Sequence, residues 1–521
     1  MTSMVVNVPE IVSEILRHAD PNALFAAAQV NHLWAEEATN WIWQSSYRES
    51  QNIGERLAVM KMLARLSQRR RDWYTRKIRY LSLAESNRTK HRQPPGGLFT
   101  MMKRINFKFP GLKSAILNPS SFTGDENLVQ FLQPNLTSLE IHRGCHSTWF
   151  LDQIKTEAPR LKAFSYTGDW RPPHVDEAWT ADTLLGFLKD KPSITHLHLL
   201  PRWWEARWSN SVVEYLFGRP GLEVLQLARP LVVQLEAIRA FQRETPGLRI
   251  FSSLRCLETK ISYPAFQILL PMLTHLEQIY IQIEAKHGDP LVLDDTISLF
   301  TRAKQIIISC PGEVHVTSST VLLLASRCPL VRNLQLVVRE LLDPGVTDEF
   351  VEALSSNLIH LERLMLPFQA SNLSHESFLS FARHCPHLTH LTLDGNIDIK
   401  HLQRLDAAPP ELLLPRLRHF GVSISVSFPS PYPSQESLID TGKTILRILY
   451  RRFPSLSYCS GDMIVFANGH VDDVRTAKLT DYVREHVRKK SSSDYENSTD
   501  RLFMYQREVD ELIGCSPVPE N

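Results

Sequence analysis

One hydrophobic pattern recurs along most of the chain: an apolar residue, two variable residues, a second apolar residue, one variable residue and a third apolar residue. Its clear copies begin at Ile78, Leu112, Leu136, Leu161, Ile194, Leu222, Leu276, Ala303, Val331, Leu361, Leu388 and Leu417. A weaker copy begins at Leu254, where Thr259 holds the third apolar position. Starts are roughly 22 to 34 residues apart. The alternation at the end of each copy is that of a strand, so the pattern predicts short strands at regular intervals.

Helical stretches separate these strands, for example over 346–355 and 374–384. Proline ends the helix shortly before many strands, because it cannot continue a helix and favours an extended path. Such prolines are Pro110, Pro159, Pro192, Pro220, Pro329, Pro386 and Pro454. One strand and one helix cannot bury their apolar sides alone, so the units stack. This spacing is typical of leucine-rich repeats and predicts an α/β solenoid over 76–466, a curved parallel sheet inside and helices outside.

Side-chain alternation turns the apolar positions into the stack and the third and fifth positions of each copy towards the concave surface. The fifth positions are Glu140, Ser165, His198, Gln226, Tyr280, Ile307, Gln335, Met365, Thr392 and Gly421. This mixture lacks the uniform positive charge of a nucleic-acid surface. We therefore expect a protein-binding face, with Tyr280, Gln335 and Met365 as candidate target-binding residues.

A cluster of tryptophans follows the strand that begins at Ile194. Residues 201–208 read PRWWEARW and contain Trp203, Trp204 and Trp208. Loops on solenoids often carry binding function, and Trp and Arg are enriched at binding hot spots. The three rings are candidate target-binding residues, and the alternative is that they pack on the next helix as local core.

Before the repeats, residues 8–46 predict three short helices. Ile11, Ile15 and Leu16 form one apolar side, with Pro9 in the first turn, where a missing N–H costs nothing. Asp20 and Pro21 then end that helix and start the next. The fragment carries more apolar surface than it can bury by itself. It is either a cap packed on its own chain or a module that offers an apolar face to another protein.

The order of residues in this stretch resembles an F-box, on Pro9-Glu10-Ile11, Ile15, Asp20, Leu24, Val30 and Trp34. The continuation over 34–39, WAEEAT, resembles F-box proteins of filamentous fungi. In that family the motif binds the Skp adaptor of SCF ubiquitin ligases. The resemblance implies that the residues forming or supporting the adaptor surface are Pro9, Ile11, Ile15, Leu24, Val30 and Trp34. Val8 and Ala19 depart from the family pattern, where Leu and a larger aliphatic residue are usual.

The predicted domains are an F-box over 1–46, a linker helix over 47–75, the solenoid over 76–466 and a polar tail over 467–521 with a candidate helix at 500–513. Cys328-Pro329 and Cys385-Pro386 are similar to the Cys-containing repeats of F-box proteins. The implied function is a non-catalytic substrate receptor that docks Skp, and through it cullin, while the repeats hold a target. The alternative is a scaffold that does not direct degradation. Leu24→Ala or Trp34→Ala is expected to cost about 2 kcal/mol of adaptor affinity.

Composition narrows the setting. Apolar residues make up 43% and charged residues 22%, as in folded soluble proteins, and the net charge of +2 gives no pull towards nucleic acid or membrane. No apolar run is long enough for a transmembrane helix, and the first ten residues lack the pattern of a secretory signal. Seven cysteines without a CxxC pair predict a reduced compartment, cytoplasmic or nuclear.

None of the chain's chemistry-bearing motifs predicts a catalytic centre, metal or cofactor. Gly442-Lys443-Thr444 lacks the first glycine of a phosphate loop, because position 437 is Ser. His384, Cys385, His387 and His390 invite a zinc site, yet strand alternation sends them to different environments. Arg69-Arg70-Arg71 is expected at the C-terminal end of a helix over 56–71, the alternatives being nuclear import or phosphate binding. Residues 84–97 and 425–437 are expected to be loops, 438–452 a helix and 488–493 disordered.

Overall fold

The computed structural model describes the following parts of the chain: 8–19, 21–49, 63–82, 107–117, 125–142, 147–167, 180–199, 210–227, 232–233, 235–245, 250–284, 291–293, 295–310, 314–337, 340–341, 346–407, 414–428, 434–460, 463–467, 470–471 and 473–492. The chain divides into two compact units. The first comprises Met1–Leu231 with Arg243–Leu254, and the second Val232–Gln242 with Arg255–Asn521.

The first unit contains parallel strands separated by helices. Its strands are Tyr80–Ser82, Ser114–Leu117, Ser138–His142, Ala163–Thr167, His196–Leu199 and Val224–Leu227. Each strand pairs with the next in chain order, and the register aligns equivalent apolar positions, such as Leu139 with Phe164 and Phe164 with Leu197. Its helices are Pro9–Arg17, Pro21–Ala27, His32–Glu49, Gln68–Thr75, Thr148–Glu157, Ala181–Asp190 and Asn210–Gly218, and 3-10 turns cover Asp125–Asn127 and Val129–Phe131.

The second unit repeats the same plan with longer strands. Its parallel strands are Val232–Val233, Cys256–Ser262, Gln278–Glu284, Gln305–Ser309, Asn333–Val337, Arg363–Leu373, His390–Asp398, His419–Phe428, Tyr458–Cys459 and Met463–Ala467. His470–Val471 adds an antiparallel edge. Its helices are Tyr263–Leu269, Ser318–Arg327, Asp348–Asn357, His375–His384, Ile399–Ala407, Gln435–Arg452 and Asp473–Ser492, with 3-10 turns at Leu270–Met272 and Asp295–Leu299. Helix Leu235–Glu244 begins in the second unit and ends in the first.

Burial follows the predicted alternation. In Ser138–His142 and Ala163–Thr167 every second residue is fully buried and the others are half-buried. The apolar positions of the repeats form the core, and Thr259, the polar exception, is also buried. The predicted architecture of a parallel sheet with helices, α/β, is therefore confirmed within each unit.

Most of the prolines before strands mark helix ends, as predicted. Ala158, Lys191, Cys328 and Cys385 are helix C-caps, and each directly precedes a proline. One of these caps also links neighbouring helices. Lys191 Nζ donates to the carbonyls of Lys155 at 2.8 Å and Ala158 at 3.1 Å. The stack thereby satisfies carbonyls that a helix end leaves unpaired.

A second, short parallel sheet was not predicted. It consists of Leu291–Leu293, Val314–Val316 and Glu340–Leu341. Each of these segments follows a main strand and precedes the helical segment of the same repeat. They carry no copy of the repeat pattern and are only two or three residues long, so no periodic signal marks them.

The segments flanking the repeats differ from prediction. Helix His32–Glu49 runs past the expected boundary at 46. The single helix expected over 56–71 is interrupted at Ser67, whose backbone is not helical and which precedes helix Gln68–Thr75. Arg69-Arg70-Arg71 therefore lies in the first turns of a helix rather than at a C-terminal end. The guanidinium of Arg71 is held instead by the Leu66 carbonyl at 2.9 Å.

The C-terminal boundary also differs. Helix Asp473–Ser492 includes most of the segment expected to be disordered, because Leu479, Val483 and Val487 give it a buried side. Its Thr480 hydroxyl accepts the Met463 N–H at 2.8 Å and so covers the last parallel strand. Within the expected loop 425–437, strand and helix extend to Phe428 and from Gln435. The candidate helix at 500–513 lies outside the described residues.

Candidate functional site

The three N-terminal helices form a bundle with its own small core. Its buried members are Val12, Leu16, Leu24, Ala27 and Ala38. The rings of Trp34 and Trp41 pack against this cluster. Trp41 Nε1 also donates to Ser13 Oγ at 3.3 Å, which joins the third helix to the first. The three helices therefore form a packed core that does not include every apolar residue of the segment.

Several other aliphatic residues of this segment face outward. Ile11 and Ile15 lie one helical turn apart and are 40% and 52% exposed, while Val8 and Val30 are 38% and 60% exposed. Pro9 is exposed in the first turn of the same helix. Four residues of the predicted adaptor set, Pro9, Ile11, Ile15 and Val30, are thus available at the surface.

The other two predicted residues have a supporting position. Leu24 is only 3% exposed, and Trp34 is partly buried against the bundle core. The Trp34 backbone N–H donates to Asn31 Oδ1 at 3.0 Å at the start of the third helix. Truncating Leu24 would remove a core side chain, a change that typically costs about 2–5 kcal/mol of folding stability. The expected Leu24→Ala effect on affinity is therefore not a clean test of the surface.

The bundle contacts its own chain through the third helix. Lys77 Nζ donates to the Glu36 carbonyl at 3.0 Å and lies 3.9 Å from the centre of the Trp73 ring. Burial lowers the pKa of Lys77, although Glu36 and Glu37 oppose that shift. Lys77 thereby links the third helix to the segment that leads into the first strand.

The predicted target-binding residues of the strands share one row of the second unit. Strand register pairs Tyr280 with Ile307, Ile307 with Gln335 and Gln335 with Met365, and the side chains are half-buried. The Tyr280 hydroxyl donates to Gln305 Oε1, and burial raises its pKa to about 12. Gln335 Nε2 donates to Asn333 Oδ1 at 3.0 Å. Trp203, Trp204 and Trp208 lie outside the described residues.

Sequence reasoning missed a stacked row beside this one. The rings of His390 and His419 stack with their centres 5.7 Å apart, and the ring of His419 stacks on that of Tyr458 with centres 4.7 Å apart. Burial lowers the pKa of His390 to about 3, helped by the positive charges of Arg363 and Arg418, and burial lowers the pKa of His419 to about 4. Both histidines occupy the third position of a repeat copy, so the register signal could have found them.

The residues that invite a zinc site in the sequence have separate partners. His384 Nε2 contacts Glu352 Oε1 at 2.9 Å, and His390 Nδ1 contacts Thr389 Oγ1 at 2.8 Å. Cys385 donates to the Leu358 carbonyl at 3.4 Å, and burial raises its pKa to about 12. In the described parts of the chain, no group of three or more His, Cys, Asp or Glu is placed to hold a metal ion.

The glycine of the phosphate-loop alternative has a packing explanation. Gly442 lies within helix Gln435–Arg452, and a Cβ there would come within 2.7 Å of the Tyr482 ring. The glycine therefore permits close approach of helix Asp473–Ser492. Lys443 pairs with Asp440 at 3.3 Å on the exposed side.

Across the described ranges, no helix combines the length and apolar character needed to cross a bilayer.

No family model and no curated protein match this chain. Solved structures that resemble it include the yeast Rad7–Elc1 complex, with 15% identity, TM-score 0.36 and coverage of 77% of this chain and 90% of that one. The TLR13–ssRNA13 complex has 12% identity and a TM-score of 0.33, and the match covers 76% of this chain and 55% of that one. A TDR receptor has 14% identity and a TM-score of 0.33, and the match covers 74% of this chain and 61% of that one. The chain thus spans less than two thirds of the latter two. Superpositions this loose carry no argument about function.

Proposed function

We propose that the chain is the substrate-recognition subunit of an SCF-type ubiquitin ligase. The N-terminal bundle acts as an F-box that docks a Skp adaptor, and through it a cullin. The repeats hold a target protein. The chain supplies no catalytic residue and needs no cofactor, because its contribution is to raise the local concentration of target lysines near a ubiquitin-conjugating enzyme. Its place of action is the cytoplasm, the nucleus or both.

The exposed face of the bundle carries this proposal. Val12 and Leu16 turn into the core, yet Ile11 and Ile15 on the same helix face solvent. Exposed aliphatic side chains grouped on one helix face are typical of a surface that docks a partner. A bundle acting only as a cap would use this face against its own chain. A hydrogen bond that joins the bundle to the following described segment, from Lys77 Nζ to the Glu36 carbonyl, uses the third helix instead.

Replacing Ile11 and Ile15 by aspartate tests the docking face directly. Because both side chains lie outside the bundle core, the double variant should fold like the parent. We expect adaptor affinity to fall by about 2 kcal/mol or more, roughly 30-fold, the scale of an interface hot spot. The measurement is calorimetric titration of the purified full chain with a Skp adaptor.

Glu14→Gln is the matched control. Glu14 is exposed on the same helix and pairs loosely with Arg17 at 3.6 Å and His18 at 3.4 Å, so its loss should leave adaptor affinity unchanged. Equal affinity of the parent and the double aspartate variant would remove Ile11 and Ile15 from the docking surface. The scaffold alternative is separated by cullin, which a degradation receptor must recruit through the adaptor.

A further inference from the structure

In the second unit, an aligned row of charged side chains crosses the sheet at the end where its strands begin. From the copy at Leu276 to the copy at Leu417, the residue after the first apolar position donates its N–H to the equivalent carbonyl one repeat earlier. Lys304 donates to Glu277 and Arg332 to Lys304, both at 2.7 Å, and Glu362 donates to Arg332 at 2.7 Å. The ladder continues through Thr389 and Arg418. These side chains therefore follow one another at about the 4.8 Å spacing of strands.

A groove of ≈ 390 Å³ lies at these strand starts. We call it the basic groove, and its lining residues come from consecutive repeats: Arg332, His360, Glu362, His387, Thr389 and Arg416. Arg332 pairs with Glu362 at 3.4 Å. Arg416 donates to His387 Nδ1 at 2.9 Å, so that nitrogen is the acceptor. Among the described residues Arg416 makes no ion pair.

Two further arginines stand beside the groove. Arg363 begins the strand on one side of His390, and Arg418 directly precedes the strand on the other side. Both arginines are exposed, and both contribute to lowering the pKa of that histidine. Neither forms an ion pair within the described part of the chain. The strand starts around Thr389 therefore present an excess of guanidinium groups, which bind carboxylates and phosphates through paired N–H donors.

The same row of side chains already contains a bound carboxylate. Glu277 accepts from Arg255 Nε at 2.8 Å and from Lys304 Nζ at 2.8 Å. These hydrogen bonds, from Lys304 first and Arg255 second, lower the pKa of Glu277 to about 2. Glu277 thus shows that a carboxylate in this row pairs with cationic side chains of the two neighbouring repeats.

We propose that the basic groove binds an acidic, extended segment of a protein, whose carboxylates or phosphate esters pair with Arg363, Arg416 and Arg418. This proposal rests on the proposed function and specifies the class of target. Further along the strands of the same unit, Ile307, Gln335 and Met365 suit the apolar and neutral side chains of a peptide. These three side chains carry no positive charge that would extend a track for a nucleic-acid backbone.

The test uses the full chain and labelled peptides of about ten residues, long enough when extended to cross the groove. One peptide alternates Glu with aliphatic residues, a second carries phosphoserine in place of Glu, and a third carries Gln. Fluorescence anisotropy should show binding of one or both acidic peptides, weakened by salt, and no binding of the Gln peptide. The stronger of the two identifies carboxylate or phosphate as the preferred anion.

Arg416→Gln combined with Arg418→Gln should weaken acidic-peptide binding about tenfold or more. Arg383→Gln is the matched control, since Arg383 lies on a helix of the same repeats and pairs with Glu352 at 3.3 Å. Acidic binding no tighter than Gln binding, equal binding by the arginine variants, or preference for single-stranded DNA of similar length would overturn the proposal. Because no adaptor is present, this result is independent of adaptor docking.

Discussion

At the scale of single residues, His390 and His419 show how burial in a repeat protein creates a sensitivity to pH. Their imidazoles stack on one face of the second unit, with folded pKa values of about 3 and about 4. An unfolded histidine has its ordinary pKa near 6.5. Between these values the unfolded chain binds protons that the folded chain does not, so stability falls as pH falls from about 6.5 towards 4.

We therefore expect acidification from pH 7.5 to pH 5 to lower the free energy of unfolding by up to about 2 kcal/mol for each of these histidines. Replacing both by asparagine should remove most of that share of the pH dependence, whatever the replacement does to stability at pH 7.5. Urea denaturation at the two pH values measures it. An unchanged pH slope in the double variant would contradict this account of the histidine pair.

Arg219 illustrates a buried charge used to join helices. It is 3% exposed, and its guanidinium donates to the carbonyls of Leu188, Lys191 and Ile194 at 2.9, 2.5 and 3.2 Å. Arg219→Met should lower the free energy of unfolding by about 3 kcal/mol, because it leaves these buried acceptors short of a donor. Exposed Lys162→Met is the control and should change it little. Equal denaturation midpoints for the two variants would refute the role assigned to Arg219.

At the scale of elements, packing between helices decides whether a glycine is required. A Cβ at Gly442 would meet the Tyr482 ring at 2.7 Å, whereas a Cβ at Gly186 in helix Ala181–Asp190 would have nothing within 4 Å. Gly442→Ala should therefore destabilise the chain by about 1–3 kcal/mol through overpacking. Gly186→Ala should stabilise it by up to about 1 kcal/mol through helix propensity. Thermal unfolding distinguishes the two, and a shift of the same sign in both would show that the Tyr482 contact is not limiting.

The sequence predicts repeated elements better than unrepeated ones. Strand positions, their alternation and the helix ends before proline all follow from a pattern that recurs many times, so each copy supports the others. Helix Asp473–Ser492 has no such support, because its polar composition masks the buried side formed by Leu479 and Val483. The interruption at Ser67 is likewise local and has no periodic signal.

At the scale of the whole molecule, the sequence likewise predicts some residues of the candidate sites and misses others. Ile11 and Ile15 are exposed, but sequence alone did not separate them from buried Leu24. All three are aliphatic residues of short helices, and only three-dimensional packing distinguishes core from surface. The basic groove was missed because its arginines lie in different repeats and converge only through the ladder between strands.

Recruitment of a cullin by the intact chain tests the central claim most directly. The tagged chain and its Ile11→Asp, Ile15→Asp variant would be purified from cells, and the bound proteins identified by mass spectrometry. We predict a Skp adaptor and a cullin with the parent chain, their loss from the variant, and retention by both of proteins held by the repeats. Absence of adaptor and cullin from the parent chain, or their equal recovery with the variant, would contradict the claim.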